Sequence, residues 1–270
     1  MSRREDPFLS DVTDAKPPLW PPADEWVDSE RGRRVLERVL ATDRAAGPRT
    51  RALHRRAAWF AGYARTYLER DLQELSSISA LPDFRRLMRA ACLRLGQLVN
   101  QTELGRDVGL PQPTVLRYLN LLETSYELVR LQAYSVNRTK RLIRTPKLYW
   151  CDTGLALHLG GQDTPGGPHL ENLVLSDLLA WRDSQLEPPE LLYWRTATGE
   201  EVDFVVEAAG RLLPIEVKAT TRPRVADARH LRSFRAEYPD IARAGLLLHA
   251  GEDTSWIAPG VLATPWWRVL

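Results

Sequence analysis

Asp203, Glu216 and Lys218 sit among valines and isoleucines in the stretch EVDFVVEAAGRLLPIEVKAT, Glu201 to Thr220. The stretch reads as two short strands joined at Ala208-Ala209-Gly210-Arg211. With Ala209 and Gly210 as the central turn residues, glycine relieves positive-φ strain where the chain reverses. Counting outward sets Asp203 across from Glu216, and such cross-strand neighbours hold their Cβ atoms roughly 4.5–5.5 Å apart. Lys218, two residues on, projects from the same face. Val202, Phe204, Val206, Leu213, Ile215 and Val217 then take the other face as the core side.

Two carboxylates that close repel, and each raises the other's pKa unless a cation lies between them. Mg2+ (or Mn2+), held by one or two carboxylates with water and phosphate oxygens, meets that need. The neighbouring amine could orient an attacking water and offset charge growing on a phosphate. The sharp expectation is metal-assisted phosphodiester hydrolysis. The plain one is an antiparallel pair with a wet face, where acids and lysines alternate by default. Val205 and Pro214 share the Asp203 face, so that face is not uniformly polar.

The elements that must position these groups alternate in type. Leu170 to Trp181 is expected to be a helix; Glu190 to Arg195, Glu201 to Glu207 and Leu212 to Ala219 strands; Ala226 to Glu237 a helix; and Ala244 to His249 a strand. That order predicts a mixed α/β sheet domain over residues 168–270. Upstream, Leu81 to Gln97 is an amphipathic helix that starts with Pro82 and Asp83. Thr102 to Val108, a turn at Gly109 to Pro111, and Gln112 to Glu123 make a helix-turn-helix. Strands at Tyr126 to Ala133 and Lys147 to Cys151 would add a wing, giving an α-helical winged half over residues 29–152. Residues 1–28 are a Pro-rich, acidic arm in which Trp20 and Trp26 could anchor. Glu30 to Ala41 and about Thr50 to Leu75 carry helical periodicity.

For contact with DNA, the start of the second helix of a helix-turn-helix must offer polar groups to the major groove. Gln112, Thr114, Arg117 and Tyr118 are the candidates there. At the wing tip Asn137, Arg138, Lys140, Arg141 and Arg144, followed by Lys147, form a local basic cluster suited to phosphate. Arg195 is placed as a substrate clamp or a salt-bridge partner. The alternative for the tip is a solvated loop or a docking face for the following domain.

YLERDL, RLGQLVNQTELGRDVGLPQPTVLRYLNLLE, RTPKLYWCDTGL, LEN, YWRTATGEEVDF and PIEVKAT, in that order from about Trp59 to the end, resemble the C-terminal region of a family of bacterial and archaeal ATPases. In that family an AAA-type ATP-binding domain is followed by DUF4143. The resemblance implies a winged helix followed by a PD-(D/E)XK nuclease-like domain. It implies Asp203, Glu216 and Lys218 as the acid and E-x-K of that pattern, and Glu171 as its helix-borne acid, ligating metal with Asp203 and Glu216. From the residues alone, Glu171 reads equally as a helix-start acid that complements the dipole. The chain contains no G-x-x-x-x-G-K-[ST] phosphate cradle, so no ATP binding is expected.

The totals fit a folded chain. Of 270 residues 44% are apolar and 27% charged, and the net charge is only +2, so any nucleic-acid contact must come from local patches. Cys92 and Cys151 are too few for a disulfide framework, which points to a reducing cytoplasm. The histidines have no ligand-like spacing, and no apolar run spans a membrane. The leading expectation is a DNA-binding protein with Mg2+-dependent endonuclease activity, partnered by another protein or by an ATPase supplied in trans. Its rival is a non-catalytic DNA-binding or protein-interaction module whose acids only maintain salt bridges.

Overall fold

The computed structural model describes residues 57–66 and 80–269. The expected Pro-rich arm, the helix at Glu30 to Ala41, the YLERDL motif and most of the helix at Thr50 to Leu75 lie outside the described residues. Within the last of these, residues 57–63 are helical, with Trp59 stacked on Tyr63 at 5.6 Å. The chain divides into two compact units, Met1–Arg65 and Thr66–Leu270, and the second carries every element described below.

Helix α1, Leu81–Cys92, has proline in its first turn and buries Phe84, Leu87, Met88 and Ala91. Helix α2, Gln101–Val108, is capped by Asn100, whose side chain accepts the Thr102 and Glu103 amides at 3.1 Å. It ends at Gly109, where a left-handed φ of +69° favours glycine. Helix α3, Gln112–Thr124, turns Val115, Tyr118, Leu119 and Leu122 inward, and Tyr118 meets Phe84 edge-to-face at 5.2 Å. The two helices and the turn between them fall within one residue of the expected bounds, but Tyr118 is core and is withdrawn from the base-reading set.

Strands β1, Leu128–Leu131, and β2, Lys147–Trp150, pair antiparallel from Leu128↔Trp150 to Leu131↔Lys147. The basic tip between them is not an open loop. Arg138–Ile143 forms a short helix, α4, capped by Asn137. Thr153–Gly160 follows as α5, capped by Asp152.

The C-terminal half opens with helix α6, Gly167–Asp183. Strands β3 (Glu190–Arg195), β4 (Glu201–Ala208) and β5 (Arg211–Lys218) then run antiparallel in sequence. A 3-10 turn, Val225–Ala228, and helix α7, Arg229–Glu237, lead to β6, Gly245–His249, which lies parallel to β5. Strands β7 (Ser255–Ala258) and β8 (Val261–Pro265) complete a sheet of order β3-β4-β5-β6-β8-β7. This is the mixed α/β sheet expected, with a terminal hairpin added. No helix among the described residues is long and apolar enough to cross a membrane.

The expectation of one wet face is corrected: helices cover both. Val174, Leu175 and Leu178 of α6 pack on Phe204, Val206, Ile215 and Val217. Leu231 and Phe234 of α7 pack on Trp194, Val202, Val205 and Leu212. Val202 thus faces away from Phe204 and Val206, against simple alternation. The reason is a bulge. Leu192 pairs with Val205 and Trp194 with Val202, so Asp203 and Phe204 together oppose Tyr193. A bulge of this kind re-aims one side chain out of the period-two pattern.

The β4–β5 turn is the one counted from the sequence: Ala208 pairs with Arg211, and Ala209 and Gly210 have φ of +48° and +72°. Two positive values are what a two-residue I′ hairpin turn requires. An alanine is sterically strained there, so Ala209→Gly is expected to raise unfolding stability by about 1 kcal/mol, measured by urea denaturation.

Candidate functional site

The register counted from the turn holds as far as Phe204↔Ile215. One step further the β4–β5 pairing stops, and the Val217 N–H donates to Asp203 Oδ2 at 2.9 Å. The bulge places Asp203 at this opening between β4 and β5. Glu216 pairs with Leu247, whose side chain belongs to the α7-side core, so Glu216 and Lys218 face α7. Lys218 Nζ donates to Glu216 Oε1 at 2.6 Å.

Glu216 is 3% exposed, and its second oxygen, Oε2, is buried without a hydrogen-bond partner. Burial first, and the Asp203 charge second, push its carboxyl up to about 8 against the pull of Lys218. An orphaned carboxylate oxygen beside a second acid is a group that a cation or a proton must satisfy.

Glu171, the acid expected to complete a metal set, is turned elsewhere. It extends from α6 to Lys147 Nζ at 3.0 Å and accepts the Tyr149 hydroxyl. Lys147 opens β2 and is 1% exposed; it also lies 2.6 Å from Glu201 Oε1 and 3.5 Å from Asp203 Oδ1. Burial works against its charge, but Glu171, Asp203 and Glu201 together hold its pKa well above the ordinary lysine value. Burial and Asp203 raise Glu171 to about 7. Lys147, grouped from the sequence with a basic surface, is in fact the buried centre of an acidic cluster. Nothing in its spacing signalled this; only the topology brings β2 over the sheet.

Among the described residues no group of three or more His, Cys, Asp or Glu side chains is disposed to hold a metal ion. The expected trio is therefore corrected. Glu171 does not fit, because Lys147 and Tyr149 occupy the oxygen it offers to the cluster. Glu216 fits a cation by its unpartnered oxygen, and Asp203 lies close enough for its charge to raise the Glu216 carboxyl, although Asp203 Oδ1 already faces Lys147 Nζ at 3.5 Å and Oδ2 accepts the Val217 amide. Glu171, Glu201, Asp203 and Glu216 are gathered around only two buried or half-buried amines, Lys147 and Lys218. Arg195 adds a partly exposed ion pair to Glu201 at 2.8 Å, so it is a salt-bridge partner.

Glu216 and Lys218 open into a cleft of about 400 Å³. Its remaining walls are Val225, Ala226, Asp227, Arg229, His230 and Arg232. None of these was singled out in the sequence. The signal available was the density of arginine in RPRVADARHLR directly after the E-x-K.

The expected nucleic-acid contacts divide. Gln112 and Arg117 are exposed at the start of α3, Thr114 is half-buried, and Gln112 is held by Gln101 at 2.8 Å. Lys140 and Arg144 are exposed. Arg138 is drawn toward Glu190 and Glu207 at 3.7 and 3.8 Å. Arg141 is buried: it donates to Ser135 O at 2.7 Å, to Glu190 at 2.6 Å and to Glu207 at 2.5 Å. It fastens α4 to the β3–β4 edge and is corrected out of the phosphate-facing set. Arg141→Met is expected to cost roughly 2–3 kcal/mol, less than a fully buried pair because Glu190 meets solvent. Urea denaturation checks this; a loss under about 0.5 kcal/mol would return Arg141 to the surface.

Residues 166–269 match the family model described as Domain of unknown function (DUF4143), and residues 48–166 match Domain of unknown function (DUF8612). The DUF4143 match covers less of the chain than the resemblance drawn from the motifs, which began near Trp59. Uncharacterized proteins of Mycobacterium bovis and Mycobacterium tuberculosis are each 35% identical over 218 residues, covering 77% of this chain and 47% of their own length. A Haemophilus influenzae protein is 24% identical over 157 residues, 56% of this chain and 38% of its own. The chain spans about half the length of the curated relatives it matches. No solved structure matches. The acidic cluster straddles the two matched segments: Lys147 and Tyr149 come from one, Glu171, Glu201 and Asp203 from the other.

Proposed function

We propose that the chain is a nucleic-acid-binding protein whose C-terminal sheet is a PD-(D/E)XK-like nuclease domain, preceded by a winged helix. The element order α6-β3-β4-β5-α7-β6 supports the first assignment, and α2-α3 with the β1–β2 ribbon the second. The proposed reaction is Mg2+-assisted hydrolysis of a phosphodiester.

The observation that carries this reading is the orphaned Glu216 Oε2, beside Asp203 and Lys218 and on the wall of a basic cleft. Asp203 and Glu216 would hold the ion, which when bound polarises a phosphoryl oxygen and acidifies a water. Lys218, more than a third exposed, can turn its ammonium from Glu216 toward a phosphate oxygen. The bulge keeps Asp203 in place by committing one oxygen to the Val217 amide. Supercoiled plasmid incubated with Mg2+ tests the reading: nicking should occur and should vanish with EDTA and in Glu216→Gln.

Lys147 favours a second reading. An internal ammonium already serves Glu171, Glu201 and Asp203, as it would in a module that binds without cutting. A wild-type protein that binds DNA but never nicks it in Mg2+ or Mn2+ selects this one.

A further inference from the structure

The arginines that follow β5 form a second basic surface, distinct from the α4 tip. Arg222, Arg224, Arg229 and Arg232 are all exposed within one turn-and-helix segment, and Arg229 and Arg232 line the cleft beside Glu216 and Lys218. Asp227 is the acid among them, and its carboxylate is engaged by the Arg224 amide at 2.7 Å. His230 meets Arg229 at 2.8 Å. At the α4 tip, by contrast, Glu190 and Glu207 draw on both Arg138 and Arg141. Among the described residues no carboxylate forms an ion pair with the four arginines after β5.

We infer that this surface, rather than the α4 tip, docks the substrate of the proposed site, and that the substrate is the phosphate backbone of duplex DNA, taken without sequence preference. The inference rests on the hydrolytic reading of Glu216 and Lys218. The charge argument is direct. Guanidiniums on the rim hold successive phosphates, while Glu216 and Lys218 on the wall meet the one to be cut. The choice of duplex comes from the makeup of the cleft. Its apolar wall is only Val225 and Ala226, with no aromatic ring on which unstacked bases could lie. Proteins that grip single strands rely on such rings; those that grip duplex backbone need only spaced cations.

The test measures fluorescence anisotropy of a labelled 20-base-pair duplex, the matching single strand and a duplex RNA, all in EDTA so that binding is read apart from chemistry. The double variant Arg229→Glu/Arg232→Glu should lose at least about thirtyfold in duplex affinity. Single Arg→Gln changes should each flatten the salt dependence by about one unit of slope. Reversal at the tip, Lys140→Glu/Arg144→Glu, should shift affinity less than about threefold. All these side chains are exposed, and unchanged thermal melts will confirm that the variants are folded. Duplex affinity that ignores the Arg229/Arg232 reversal, or that is matched or exceeded by either RNA or the single strand, overturns the assignment. The two readings fail separately. Arginine-dependent binding with no Mg2+-dependent nicking leaves the surface and removes hydrolysis; nicking that survives the double reversal leaves hydrolysis and removes the surface.

Discussion

Lys147→Met is expected to lower the unfolding free energy by roughly 3–5 kcal/mol at neutral pH, because it deletes one member of a buried charge group and leaves the others unpaired. Lys147 is 1% exposed, and Glu171, Glu201 and Asp203 would then face one another without an intervening ammonium. The pH dependence separates this effect from lost packing, since methionine preserves much of the volume. In the wild type the folded pKa of Lys147 lies above its ordinary value of 10.5, so its contribution is complete throughout the neutral range and fades only in strong alkali. In the variant Glu171, already raised by burial and by the Asp203 charge, loses the Lys147 charge that pulls it down, so its folded pKa rises further. Its protonated form is tolerated below about pH 4 and stability is lost as pH climbs, so the deficit should shrink on acidification. Urea titrations at several pH values measure this. A deficit under about 1 kcal/mol that does not vary with pH would mean that the cluster is solvated and that Lys147 organises nothing.

Glu216→Gln is expected to act in opposite directions on activity and on stability. Mg2+-dependent nicking should fall by at least about a hundredfold, because the amide removes a charged donor from the proposed ion. Stability in alkaline buffer should rise. The Glu216 carboxyl is raised from an ordinary 4.5 to about 8, so its contribution is intact below the unfolded value and is lost as pH rises through the folded one. Wild-type stability should therefore decline between about pH 4.5 and 8, and the glutamine variant should show a shallower decline. A gain in stability joined to a loss of function marks a strained functional group; a structural salt bridge to Lys218 would lose both. A variant that nicks plasmid at the wild-type rate would remove Glu216 from the chemistry.

Much of the sheet was legible because its signals are local. Alternating apolar runs and the Ala209-Gly210 turn each report on a few neighbouring residues, and the bounds of β3 to β6 fall within a residue or two of those expected. The helix expected from Leu81 to Gln97 instead ends at Cys92, and the one expected from Leu170 begins at Gly167. The register near the turn was legible for the same reason, since a tight turn fixes its own pairing, but it holds only as far as Phe204↔Ile215 and so stops one step short of Asp203 and Glu216. What failed was non-local. Nothing in TPKLYW says that Lys147 will be covered by α6 and β4, nor that Arg141 will find Glu190 and Glu207 more than forty residues downstream. The bulge was also invisible, because Val202, Phe204 and Val206 spell an unbroken period of two, while Tyr193 absorbs two partners. Charged residues read as surface by default, and their burial became apparent only when the partners were in place.

The segment after β1 has a bearing on how the chain can be divided. Tyr193 donates its amide to Gln132 O at 2.9 Å and accepts the Tyr134 amide at 2.5 Å, so residues 132–134 run along the outer side of β3. Tyr134 continues inward to Phe234 and Tyr238 of the far half. The border at residue 166, where one family match ends and the next begins, is therefore not a seam. Severing there would bare an unsatisfied strand rim and leave three acids without their lysine, so the unit of inheritance read from sequence and the unit of folding are different lengths of chain.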